Sequence, residues 1–88
     1  MEPFFYLYDH VEKAGVRYVS FQGGTTRFDL AIIQTTQFVG KLLVLDLQGK
    51  NYAIIGEDDL NEDGYLEYAF ALSEEHAAEL KAFLLQTI

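Results

Sequence analysis

The sequence predicts an α+β domain: an antiparallel sheet of five or six strands with one C-terminal amphipathic helix packed on one face. Three observations carry that expectation. Apolar residues recur mostly with a period of two from residue 4 to residue 72. Short polar connections, several containing glycine, divide the run into segments of strand length. Only after Ser73 does the apolar spacing change to three and four residues.

Taken in order, "FFYLY" at 4–8 is aromatic and strand-like, and "DHVEKAG" at 9–15 is a polar connection ending in glycine. "VRYVSF" at 16–21 reads as a strand with apolar residues on both faces. "QGGTT" at 22–26 follows as a turn in which the two glycines are expected to supply positive φ. In "RFDLAIIQ" at 27–34, Phe28, Leu30 and Ile32 share one face and Asp29, Ala31 and Ile33 the other. "KLLVLDL" at 41–47 is almost continuously apolar, as a strand covered on both sides would be. It pairs with "YAII" at 52–55 through a hairpin with Gly49 in the turn. "YLEYAFAL" at 65–72 alternates, so a last strand is expected with Leu66, Tyr68, Phe70 and Leu72 facing inward.

Ser73 then has the chemistry of a helix N-cap, and Glu74 and Glu75 occupy the first turn, where the helix dipole favours negative charge. Ala77, Leu80, Phe83, Leu84, Thr87 and Ile88 form the apolar stripe of the helix. One helix covers one sheet face. The other face, with Val19, Phe21, Ile33 and Tyr65 expected on it, is left without a cover, and a twofold homodimer is the commonest way to bury such a patch.

Composition narrows the function classes. The 88 residues, read as a single domain over 1–88, include seven Phe, six Tyr and no Cys, so there is no disulfide and no thiolate metal site. "MEPFFYLYDH" has no basic region ahead of its apolar stretch, and no apolar run is long enough to span a bilayer, so a cytoplasmic setting is expected. The net charge is −8. Residues 51–88 hold nine of the 14 acids and only Lys81 of the six bases. Scattered bases on an acidic chain make nucleic acid and anionic membrane poor partners. The acidic half reads as a solvated face.

One motif stands out. "DLNEDGY" at 59–65 places Asp59, Asn61 and Asp63 at alternate positions with Gly64 next, the opening of a calcium loop. The twelfth position, which should be a bidentate Glu, is Phe70. The flanking segments also read as strands where the calcium motif has helices. The preferred reading is an acidic turn, with divalent-cation binding through 59–67 as the alternative. Asp58, Asp59, Glu62 and Asp63 are the acids a small metal-dependent hydrolase would use, if they converged on a pocket.

His10 and His76 match no zinc spacing, and neither Ser20 nor Ser73 lies in a nucleophile elbow. "QGGTT" lacks the lysine and helix of a phosphate loop. No catalytic residue and no cofactor is assigned. The expected function is non-enzymatic, a homodimer that works by contact with an unidentified protein.

The order of segments, "FFYLYD", "RYVSF", "RFDLAII", "GKLLVLDLQ", "YAIIGEDDL" and "GYLEYAFALSEEHAAEL", resembles a family of short cytosolic proteins of unknown function from Bacillus- and Staphylococcus-type Gram-positive bacteria. The resemblance implies a compact α+β domain in the cytoplasm with no assigned activity. It brings no site residues with it.

Overall fold

A computed structural model describes residues 3–88. Four strands, β1 (Gly15–Gln22), β2 (Arg27–Gln34), β3 (Leu42–Asp46) and β4 (Asn51–Ile55), form one antiparallel sheet in the order β1-β2-β3-β4. Three helices follow: α1 (Glu57–Leu60), α2 (Tyr65–Phe70) and α3 (Glu74–Thr87). Among the described residues, the expected five or six strands are therefore four, and the single helix is three.

Both missing strands have a physical explanation. Residues 4–8 have the composition of a strand but no neighbour to pair with, and they lie exposed and outside the sheet. Residues 65–70 are helical. Their alternation was ambiguous because Leu66 and Phe70 are also four apart, the spacing of one helix face. Burial decides between the two: Leu66 and Phe70 are inside, whereas Tyr68, inward in the strand reading, is 90% exposed. Gly64, at φ +80°, turns the chain into this helix, and Tyr68 N–H donates to its carbonyl.

The core lies between one sheet face and the helices. Phe28, Leu30, Ile32, Val44, Ala53 and Ile55 meet Leu60, Leu66, Phe70, Ala77, Leu80 and Leu84. The helix α3 begins as its sequence dictates, with the Ser73 hydroxyl accepting from His76 N–H at 3.2 Å. No buried side-chain polar atom lacks a partner among the described residues.

Register assigns the faces. Phe21 lies opposite Phe28 and Val19 opposite Leu30, so both β1 residues point to the core side. Phe21 stacks between Phe28 and Phe83, with ring centroids 5.2 and 4.3 Å away. Their expected place on the open face is thus corrected. Tyr65 leaves that face as well, because it belongs to α2.

The turns also differ in their use of glycine. Neither Gly23 nor Gly24 has positive φ. A Cβ on Gly23 would run into Glu79 Oε1, so the missing side chain makes room for a carboxylate from α3. That carboxylate accepts from the backbone N–H and the hydroxyl of Thr25, fastening the β1–β2 turn to the helix. The Thr25 hydroxyl holds the Glu79 carboxyl below its ordinary range.

Candidate functional site

The acidic loop has been built into the fold by its first residue. Asp59 Oδ2 accepts from Gly56 N–H at 2.8 Å, satisfying a free amide at the start of α1, and from Lys41 Nζ at 3.1 Å. The Gly56 amide, and after it the Lys41 ammonium, hold the Asp59 carboxyl below the usual aspartate range. The same contact raises Lys41. Asn61 caps the C-terminal end of α1, and Asp63 lies exposed in the turn before Gly64.

The strand expected ahead of the motif is β4, followed by a single helical turn, α1, that takes in Asp59 itself, and the strand expected after it is instead the helix α2, which covers positions seven to twelve of the loop. The twelfth position remains closed: Phe70 is 2% exposed and packs in the core. Among the described residues, no three His, Cys, Asp or Glu side chains gather in a way that could hold a metal ion.

A hollow of about 220 Å³ between this turn and α3 takes in Glu62, Asp63, Glu67 and Glu74, with Lys81 beside them. Asp58 and Asp59 do not line it. The four acids named for a hydrolase therefore split, two at the hollow and two at the start of α1. A larger open cleft of about 820 Å³ is lined by Lys13, Gln34, Thr35, Phe38, Val39 and Ile88 among others.

The most extensive unexplained surface is the sheet face turned away from the helices. Period-two alternation places Val16 and Tyr18 of β1, Ala31 and Ile33 of β2, Leu43 and Leu45 of β3, and Tyr52 and Ile54 of β4 there. Register aligns them into rows: Tyr18 faces Ala31, Ala31 faces Leu45, and Leu45 faces Tyr52. Tyr18 is 76% exposed and Tyr52 68%. Among the strand residues, the only charges on this face are Arg27 and Asp29, which neutralise each other at 3.0 Å. The Ser20 hydroxyl also donates to Asp29, and together these contacts lower its carboxyl.

Sequence reasoning put Asp29, Ala31 and Ile33 of β2 together on this face and missed the members from β1, β3 and β4. The signal was present in the β1–β2 hairpin. Gln22 pairs with Arg27 across the "GGTT" turn, and that pairing alone puts Phe21 on the Phe28 side and Tyr18 on the opposite one.

A family model described as SAV0927-like matches residues 7–86. The chain belongs to the SAV0927-like family. The match begins inside the aromatic segment at Leu7 and ends one residue before the end of α3, so all four strands and nearly all of the helical half lie within the SAV0927-like region. No curated protein matches the chain. The SAV0927-like description carries no activity. No helix among the described residues is long and apolar enough to cross a membrane.

Proposed function

We propose that the protein works by contact and not by chemistry, as a twofold homodimer whose shared interface is the open sheet face and which presents the acidic side of the molecule to an unidentified protein. The observation that supports this reading is the apolar, aromatic-flanked face built from Tyr18, Ile33, Leu43, Leu45, Tyr52 and Ile54. A face of this kind on a monomer marks an association surface. Its two faces are equivalent under a twofold axis, so the same rows of side chains serve both copies. The cytosolic, Gram-positive setting implied by the resemblance is part of the same reading. Sedimentation of the whole chain at micromolar concentration tests it, with two chains per particle expected and one chain overturning it.

The second reading is a divalent cation at Asp59, Asn61 and Asp63, whose alternate spacing ahead of Gly64 is that of a calcium-loop opening. It predicts that millimolar calcium raises the melting temperature in proportion to RT ln(1 + [L]/Kd). Calorimetric titration without heat would remove it. Binding requires Asp59 to leave Gly56 and Lys41, which weighs against this reading.

A further inference from the structure

Residues 3–14 form an arm that the sheet does not use. Phe4, Phe5, Tyr6, Leu7 and Tyr8 are between 67% and 92% exposed. The molecule measures 54 × 24 × 23 Å with a radius of gyration of 15.1 Å. A compact chain of this length would have a radius of about 12 Å. Among the described residues, the arm is tied only near its root, at the end of the sheet where β1 begins. Gln37 Nε2 donates to the Tyr8 hydroxyl at 3.3 Å, and Thr36 Oγ1 donates to the Glu12 carboxylate at 2.5 Å. Both anchors belong to the β2–β3 connection, so the aromatics ahead of them run off the molecule.

We infer that in the homodimer the aromatic arm of each copy, Phe4–Tyr8, lies across the open sheet face of the other, an inference that rests on the reading of that face given above. Dimensions fit. Five extended residues span ~17 Å, and four strands at ~4.8 Å spacing present a face ~14 Å across, so one pass of the arm crosses it. Area fits as well. At ~150–250 Å² per aromatic side chain, laying one side of the arm down removes on the order of 350 Å² from each arm and as much from each face. Two reciprocal contacts then total roughly 1,400 Å², within the ~1,200–2,000 Å² of specific interfaces.

Charge selects the same surfaces. Each copy carries −8, so two copies repel over most of their area. The stretch Phe4–Tyr8 has no charged residue, and the open face carries only the Arg27–Asp29 pair. The arm and the face are where two acidic copies meet at least electrostatic cost.

The test uses the full chain, which has no cysteine of its own. A spin label on Asp9→Cys copies, mixed with isotope-labelled unmodified copies, is expected to broaden the amide signals of Tyr18 and Tyr52 in the latter. The double variant Phe5→Ser/Leu7→Ser is expected to weaken dimerisation at least about tenfold with an unchanged circular dichroism spectrum, since both side chains are exposed. Tyr52→Glu is expected to be monomeric. If the chain is dimeric, Tyr52→Glu disrupts it, and yet the arm variant dimerises normally with no broadening, arm exchange is overturned while the face-mediated dimer stands. A monomeric wild-type chain overturns both.

Discussion

Lys41 and Asp59, 18 residues apart, meet at 3.1 Å where β3 and the start of α1 come together. The contact fixes the role of the residue that looked most like a metal ligand. Asp59 is the N-terminal fastening of α1, and it uses one oxygen for both the Gly56 amide and the Lys41 ammonium.

Asp59→Ala removes the acceptor for an amide in the first turn and is expected to cost about 0.5–2 kcal/mol in chemical denaturation. Asp59→Asn keeps an acceptor oxygen, loses only the charge, and should cost less. Equal costs would mean that the ion pair, lost in both variants, outweighs the cap, which only Asp59→Ala loses.

The pH dependence follows from depressed carboxyls. Asp59, Glu79, Asp29 and Glu12 are all held below their ordinary values, by Gly56, Thr25, Ser20 and Thr36 respectively as the leading causes. Each contributes stability that is present above its unfolded pKa, about 4, and lost as pH falls through the lower folded value. The melting temperature should be flat from about pH 5.5 to 8 and fall below about pH 4. In Asp59→Asn the acid-side fall should be shallower.

Phe70→Glu supplies the ligand that the calcium loop lacks, and it is expected to unfold the protein instead of creating a site. Phe70 is in the core, and a carboxylate there has no partner. Phe70→Ala alone should cost about 3–5 kcal/mol. A folded Phe70→Glu protein stabilised by calcium would refute this.

Ala71 ends α2 at φ +55°, in the left-handed region where a Cβ is strained. Ala71→Gly is expected to stabilise by about 0.5–1 kcal/mol, read from the denaturation midpoint. Gly64→Ala, at φ +80° with open space around it, should destabilise through backbone strain alone.

Salt tests the proposed dimer. With −8 on each copy and an interface free of unpaired charge, raising ionic strength from about 0.02 to 0.5 M screens only repulsion and should tighten association. Weakening with salt would place ion pairs in the interface.

The sequence by itself determined the local structure wherever one period and one partner were available. β2 was legible from Phe28, Leu30 and Ile32, and α3 from Ser73 and its apolar stripe, because cap chemistry and helical spacing are properties of adjacent residues. The acidic turn and its missing twelfth ligand were legible for the same reason. Tertiary structure decided the rest. Leu66 and Phe70 suit a strand or a helix equally until Leu60 and α3 provide a surface for a helix face. Phe4–Tyr8 have strand composition, but a strand exists only where a neighbour supplies its hydrogen bonds, and among the described residues of one chain none does. The same holds for Asp59, whose carboxylate was free on paper and is occupied in the fold by a lysine that only packing brings near.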